Sequence, residues 1–90
     1  MNSKDIQEDI YTWACNKNFT APYGVLSGEH TNKKGKKYLS VTFGYAKTLD
    51  ATVEIYNRNF IVFKSSRAGT EVFNSYSELK LVLETLCPSI

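Results

Sequence analysis

Alternation of apolar and polar residues in the middle of the chain is the feature that most restricts its fold. Between residues 38 and 45 the apolar positions are Leu39, Val41, Phe43 and Tyr45, and Tyr38, Ser40, Thr42 and Gly44 alternate with them. A period of two places successive side chains on opposite faces of a β-strand. The segment therefore predicts a strand with one buried face, and the fold must supply a layer that covers this face.

A second alternating segment, residues 51–64, predicts a β-hairpin. Val53 and Ile55 alternate with polar residues in ATVEIY, and FIVFK follows after the turn residues Asn57-Arg58-Asn59. Asparagine tolerates the left-handed backbone angles that tight turns between antiparallel strands require. YGVLSGE before the first alternating segment and TEVF after the hairpin predict two shorter strands. We therefore expect an antiparallel sheet of four or five strands.

The N-terminal residues predict an amphipathic helix. Ser3 is a suitable cap for a helix from Lys4 to about Lys17, with acidic residues in its opening turns, where they favour the positive end of the helix dipole. The apolar positions Ile6, Ile10, Trp13 and Ala14 keep the spacing of one helical face. Pro22 ends the pattern because proline lacks a backbone amide donor. This helix needs an apolar partner, and the predicted sheet provides one.

A capping box predicts the start of a second helix near the other end of the chain. Ser75 can accept a hydrogen bond from an early helical amide, and Glu78 can accept one from the amide of the cap residue. We expect this helix to begin at Tyr76, and Pro88 prevents its continuation. Its apolar stripe consists of Leu79, Val82, Leu83 and Leu86. The stripe predicts a helix that packs by one face against the sheet.

These patterns together predict a single α+β domain over residues 1–90. We expect an N-terminal helix, the antiparallel sheet and a C-terminal helix, with both helices packed on one face of the sheet. A chain of 90 residues buries roughly 60 to 70% of its unfolded surface, which leaves one modest core and little room for a deep catalytic cleft. The aromatic candidates for this core are Trp13, Phe43, Phe73 and either Phe60 or Phe63.

Cysteine usage and the opening segment favour a cytoplasmic protein. Cys15 and Cys87 form no CxxC pair, and domains that depend on disulfides usually carry more cysteines. We expect both thiols to be reduced and to pack as small apolar side chains. The opening segment MNSKDIQEDI carries acidic residues where a signal peptide needs an apolar stretch. No run approaches the length of a membrane span, so we expect no membrane partner.

Residues suited to catalysis or metal binding are sparse. His30 is the only histidine, and zinc sites need three or four ligands, which are usually cysteine and histidine. The five glycines form neither a GxGxxG motif nor a P-loop. Glu54 and Asp50 are the candidate carboxylate pair, but Glu54 alternates with core positions as a solvent-facing residue does. We therefore expect no catalytic residue, no metal and no cofactor, and a protein that is not an enzyme.

Positive charge is concentrated in the middle of the chain. The net charge is +2 overall, and it is −1 for residues 1–28, +5 for residues 29–67 and −2 for residues 68–90. Lys33-Lys34-Gly35-Lys36-Lys37 stands next to the strand that carries Tyr38 and Tyr45. Clustered lysines neutralise phosphates and aromatic rings stack on unpaired bases, whereas basic hairpin loops also serve solubility alone. Two interpretations stay open, an anion-binding loop and a solvated loop.

Tyrosines that the alternation does not place in the core are candidates for a contact surface, because exposed tyrosines are enriched at interfaces. Tyr38, Tyr56 and Tyr76 are of this kind. Arg58, Lys64 and Arg67 contribute to the same surface only if they share the face of the basic loop. The candidate partner-binding residues are therefore Lys33, Lys34, Lys36, Lys37, Tyr38, Tyr45, Tyr56, Arg58, Lys64 and Arg67.

The chain is rich in Asn, Lys, Ser and Tyr and ends in a strand followed by a capped helix, EVFNSYSELKLVLETL. In size and composition it resembles small phage-encoded proteins that bind and block a host component, anti-CRISPR proteins among them. The resemblance implies a non-enzymatic inhibitor that occupies a surface of a host protein or protein–nucleic-acid complex in the host cytoplasm. The alternative is a nucleic-acid-binding module that uses the 33–37 loop and the neighbouring strand aromatics. An exposed sheet edge offers a route to a homodimer.

Overall fold

Five strands follow one another between two helices along the chain. The computed structural model describes residues 2–16, 25–45, 49–66 and 69–86. The elements are α1 (Ser3–Asn16), β1 (Val25–Thr31), β2 (Lys37–Tyr45), β3 (Leu49–Asn57), β4 (Phe60–Ser65), β5 (Gly69–Phe73) and α2 (Tyr76–Leu86). The predicted α+β order is confirmed. The predicted roles of Lys17, Pro22, Cys87 and Pro88 lie outside the described residues.

The sheet is an antiparallel meander whose strands keep the order of the chain, β1-β2-β3-β4-β5. Val41 lies opposite Ser27 on one side and Val53 on the other, and Val53 lies opposite Phe63. Residues directly opposite each other share a face of the sheet. The apolar positions of β2, β3 and β4 therefore form one continuous apolar surface, which a register shift of one residue would turn to the other side.

Both helices cover this apolar surface. α1 packs on β1, β2 and β3, and α2 packs on β4 and β5. Ile6 and Ile10 of α1 and Leu79 and Leu83 of α2 are buried. They enclose the sheet residues Val41, Phe43, Ala51, Val53, Ile55, Ile61, Phe63 and Phe73 in one core. Full burial of each large apolar side chain contributes roughly 1.5–3 kcal/mol. The predicted placement of both helices on one face is confirmed.

The phenylalanines divide between the core and the surface. Phe43 is buried, and Trp13 packs edge-on against it with ring centroids 5.7 Å apart. Of the two alternatives for the core, Phe63 is buried and Phe60 is exposed. Alternation within β4 is the cause, because Ile61 and Phe63 face the helices and Phe60 must face the other way.

The two helix caps differ in how well the sequence predicted them. Asn2 caps α1, because the amide of Asp5 donates to Asn2 Oδ1 at 2.9 Å and the amide of Asn2 donates to Asp5 Oδ2 at 3.4 Å. The prediction of Ser3 as the cap was wrong, since Asn2 caps equally well and has a carboxylate three residues ahead. The cap of α2 is confirmed, because the amide of Glu78 donates to Ser75 Oγ at 3.4 Å.

Two further properties of the helices bear on the sequence predictions. Cys15 is a free thiol and is exposed, so its predicted apolar packing was wrong. The neighbouring Ala14 takes the buried position in this turn of α1 instead. Neither described helix has the length and the apolar content to cross a membrane.

Gln7 connects α1 to the sheet by hydrogen bonds. It is 4% exposed, and its Nε2 donates to the carbonyl oxygens of Gly28 at 3.0 Å and of Ser40 at 3.2 Å. Gly28 and Ser40 are paired residues of β1 and β2. One side-chain amide therefore joins the helix to two strands, and the loss of such a donor leaves buried acceptors unsatisfied.

A polar cluster joins the two helices to each other. Tyr76 Oη donates to Asp9 Oδ2, and Lys80 Nζ lies 3.5 Å from the same carboxylate oxygen. Burial raises the pKa of Tyr76 above its ordinary value, and the hydrogen bond to Asp9 and the charge of Asp9 raise it further. The cluster links the first and the last described elements of the chain, and it places Tyr76 between the helices and away from the face that carries Tyr38.

We expect Gln7→Leu to lower the free energy of unfolding by about 1–3 kcal/mol, because two carbonyl groups lose their donor. Urea unfolding followed by circular dichroism measures this change. Glu8→Leu alters an exposed residue of the same helix and should change the free energy by less than about 0.5 kcal/mol. Equal effects of the two substitutions would contradict the role assigned to Gln7.

We expect Tyr76→Phe to lower the free energy of unfolding by about 1–2 kcal/mol at neutral pH, because the hydrogen bond to Asp9 is lost. A raised pKa means that the folded protein favours the neutral phenol. Its contribution is therefore complete below the ordinary tyrosine pKa of about 10 and is lost as the pH rises above that value. The variant should thus lose less stability than the wild type on alkaline titration. Tyr11→Phe, at an exposed tyrosine of α1, is the control and should follow the wild type.

Candidate binding surface on the open face

The sheet face that points away from the helices carries the candidate site, and we call it the open face. Ser40 lies opposite Gly28 and Glu54, and Glu54 lies opposite Val62. These residues alternate with the core positions of their strands, so they point away from α1 and α2. Neither of these helices packs on the open face.

Four aromatic side chains form a row across the open face, with one ring from each of β1, β2, β3 and β4. The ring centroids of His30 and Tyr38 are 5.4 Å apart, those of Tyr38 and Tyr56 are 5.0 Å apart, and those of Tyr56 and Phe60 are 5.2 Å apart. We call these residues the aromatic row. The rings are tilted towards one another by 34 to 48°. Each ring shelters part of its neighbour, so Tyr38 and Tyr56 are only half-exposed.

A β-bulge at Tyr56 brings the last two rings of the row together. Ile55 lies opposite Ile61, and Asn57 lies opposite Phe60, so Tyr56 is the extra residue on β3. With a two-residue turn and no bulge, Ile61 would lie opposite Tyr56 and could not share a face with Ile55. The bulge therefore keeps both isoleucines in the core and leaves Tyr56 and Phe60 as neighbours on the open face.

The loop between β1 and β2 presents the lysines and is held by Asn32. Asn32 Oδ1 accepts hydrogen bonds from the amides of Lys34 at 2.9 Å and Lys36 at 3.0 Å. The amide of Gly35 donates to the carbonyl oxygen of Asn32 at 3.0 Å, and Gly35 has a φ of 83°, which favours glycine. The backbone that carries the lysines is thus defined by hydrogen bonds within the loop.

The loop and the aromatic row enclose a shallow depression of about 470 Å³. Its walls are Asn32, Lys33, Lys34 and Lys36 from the loop and Tyr56, Phe60 and Val62 from β3 and β4. We call it the lysine–aromatic depression. Among the described residues, the ion pairs are those of Lys64 and Lys80, so the loop lysines have no carboxylate partner there. The depression combines uncompensated positive charge with an aromatic surface.

Lys64 lies on the open face but differs from the loop lysines, because its charge is paired. Its Nζ lies 3.1 Å from Glu54 Oε2, and Glu54 Oε1 accepts a hydrogen bond from Tyr56 Oη at 3.2 Å. The hydrogen bond to Glu54 and the charge of Glu54 raise the pKa of Lys64. Lys64 borders a separate depression with Thr52 and Thr70. The structure therefore does not bring Lys64 into the lysine–aromatic depression.

The remaining predicted contact residues take different positions. Lys37 begins β2 opposite Thr31 and is exposed. Arg58 lies in the β3–β4 turn and borders a depression with Asn2, Ser3 and Asn57, on the side of α1. Tyr45 ends β2, and its side chain, like the whole of Arg67, lies outside the described residues. Lys33, Lys34, Lys36 and Tyr56 are thus brought together, and Tyr38 adjoins them in the aromatic row.

Sequence reasoning missed His30 and Phe60 as members of this surface. His30 was expected at the edge of a polar loop, and it lies within β1 opposite Tyr38. The register of the β1–β2 hairpin was the missing information, because it decides which residues of β1 share a face with Tyr38. Phe60 was a candidate for the core, and the alternation of Ile61 and Phe63 is the pattern that excludes it.

His30 and Ser40 form a pair that resembles part of a nucleophilic site, but their geometry favours a positioning role. His30 Nε2 lies 3.0 Å from Ser40 Oγ, and Ser40 is only 6% exposed. A serine nucleophile needs an accessible hydroxyl and a third group that orients the histidine. Within residues 2–16, 25–45, 49–66 and 69–86 no cluster of three or more potential metal ligands occurs either. The pair orients the first ring of the aromatic row.

Comparisons with protein-family models, with curated proteins and with solved structures find no match to this chain. The argument for function therefore depends on the geometry and charge of the open face alone.

We expect Phe60→Ala and Phe63→Ala to differ sharply in stability. Phe63 is fully buried and Phe60 is 41% exposed. Removal of a buried phenylalanine ring costs about 3–5 kcal/mol, whereas the loss at Phe60 should be about 1 kcal/mol or less, since most of its cost is one ring contact. Urea unfolding of the two variants measures the difference. Similar losses would mean that Phe60 belongs to the core.

Proposed function

We propose that this protein is a non-enzymatic binding module that acts by occupying a surface of a macromolecular partner. The contact surface is the open face at the end where the lysine loop meets the aromatic row. The single observation that carries the proposal is the lysine–aromatic depression, in which three lysines without a described carboxylate partner face exposed aromatic residues.

Physical properties of the surface support this function. Aromatic side chains bring a large contact area at low cost in conformational entropy and are enriched at the centres of interfaces. Unpaired lysines at the edge of a contact patch attract and orient a partner of opposite charge. The depression is shallow, so it suits contact with an extended partner better than enclosure of a small substrate.

The class of partner follows from the same surface. A host protein or protein–nucleic-acid complex is the partner that the resemblance to phage-encoded inhibitors implies, and it remains a prediction. Direct nucleic-acid binding is the second candidate, and the combination of cations and rings in one depression favours it. A homodimer through β1 or β5, which are the outer strands of the sheet, is a separate prediction that sedimentation of the purified protein tests.

The experiment compares two variants with the same change of charge. Lys33→Ser/Lys34→Ser removes two cations from the depression, and Lys4→Ser/Lys80→Ser removes two cations from the helices. We expect the first pair to weaken partner binding by roughly tenfold or more, because it removes charge at the contact. The second pair should bind as the wild type does. Capture from cell lysate, followed by measurement of bound protein and bound nucleic acid, provides the comparison.

Thermal unfolding of both variants checks that the fold is intact, because exposed lysine substitutions away from the core should leave the midpoint nearly unchanged. A partner retained equally by the wild type and by Lys33→Ser/Lys34→Ser would remove the loop from the mechanism and contradict the proposed function.

A further inference from the structure

We propose that the lysine–aromatic depression binds unpaired nucleotides of single-stranded nucleic acid. A base stacks on the exposed ring of Phe60, and the phosphates beside it lie against Lys33, Lys34 and Lys36. This inference rests on the proposed function, because it uses the same surface, and it specifies the class of partner that the surface accepts.

The position of Phe60 in the aromatic row provides the stacking surface. Tyr38 and Tyr56 each have a described ring on both sides, whereas Phe60 has one ring neighbour, Tyr56, and borders the depression on its other side. His30 is the opposite end of the row and does not border the depression. A planar ligand therefore meets an exposed aromatic face and the lysines together only at Phe60. Stacking of a base on such a ring is strong and accepts any base.

The charges of the depression select a ligand with repeated negative charge. Lys33, Lys34 and Lys36 stand on one wall, and the nearby carboxylate of Glu54 is already bound to Lys64 and Tyr56. A ligand that satisfies both walls must carry a flat apolar group and an anion within the width of one shallow depression. A nucleotide has both features, and a chain of nucleotides repeats them.

The aromatic row favours a single strand over a duplex. A duplex hides the faces of its bases, so its contact with the depression would be limited to phosphates. The row crosses four strands and is therefore about 14 Å long, since neighbouring strands lie about 4.8 Å apart. The lysine loop and the β3–β4 turn border the same end of the sheet. A single strand can thus run along the row with its backbone beside the lysines.

The loop is already arranged for binding. Asn32 holds the amides of Lys34 and Lys36, and Gly35 closes the turn with a hydrogen bond to the Asn32 carbonyl oxygen. The binding of phosphates therefore has to order only the lysine side chains and not the backbone. Preorganisation of this kind increases affinity because it lowers the entropy lost on binding.

Fluorescence anisotropy with labelled oligonucleotides tests the proposal. The probes are an oligothymidylate and an oligouridylate of about 12 nucleotides, which lies within the site sizes of known single-strand binders. A DNA duplex and an abasic oligomer of the same length are the comparison probes. We expect both single strands to bind at least roughly tenfold more tightly than either comparison probe, because only they offer base faces.

Three variants separate the contributions of stacking and charge. Phe60→Ala should weaken single-strand binding roughly 5- to 100-fold with no change in its salt dependence, and Phe60→Trp should restore the affinity. Lys33→Ser/Lys34→Ser should reduce the slope of log K against log salt by about 1.4, which is the value for two lost phosphate contacts in a single strand. Lys4→Ser/Lys80→Ser should match the wild type in affinity and in slope.

The other outcomes overturn the inference in distinguishable ways. Equal binding of the abasic oligomer would mean that phosphates alone are recognised, and displacement of the oligomers by mononucleotides at equal affinity would mean that a free nucleotide is the ligand. Absence of oligonucleotide binding, with nuclease-resistant capture of a protein through Lys33 and Lys34, overturns the nucleic-acid partner and leaves the proposed function intact. Loss of both kinds of binding overturns both.

Discussion

The two faces of the sheet are unequally covered, and the rest of the molecule follows from this constraint. A chain of 90 residues forms two described helices, and Ile6, Ile10, Leu79 and Leu83 place both of them on the same apolar surface. The other face must then be stabilised without a covering layer. Contacts among its own side chains provide this stability, because the rings of the aromatic row shelter one another and Val62 is only 8% exposed. The residues that protect the open face are thus the same residues that make it adhesive.

Local patterns were sufficient to predict the fold. The alternation in β2 and β3, the turn at residues 57–59 and the capping box at Ser75 each depend on residues that are near one another in sequence. The errors had local causes as well. Asn2 and Ser3 are both good caps, and the choice between them depends on the carboxylate of Asp5. Cys15 was assigned to the core by residue type, although Ala14 occupies the buried position of that turn.

The candidate site was predicted less completely, because it depends on register. Charge and residue type were enough to select the loop lysines and Tyr56. They were not enough to select His30 and Phe60, whose faces are set by pairing across strands and by the bulge beside Ile55. Lys64 shows the reverse case. Its charge made it a candidate, but Glu54, which lies ten residues away in sequence, neutralises it. Such a pairing becomes visible only when the two strands are aligned.

The hydrogen bonds of Asn32 also have an evolutionary consequence. Because Asn32 and Gly35 define the loop without contacts from the core, the side chains at positions 33, 34 and 36 can be exchanged with little effect on folding. Mutation can therefore alter the charge and reach of the loop while the helices and the sheet stay constant. A scaffold of this kind can follow a changing partner, since its recognition residues and its folding residues are under separate selection.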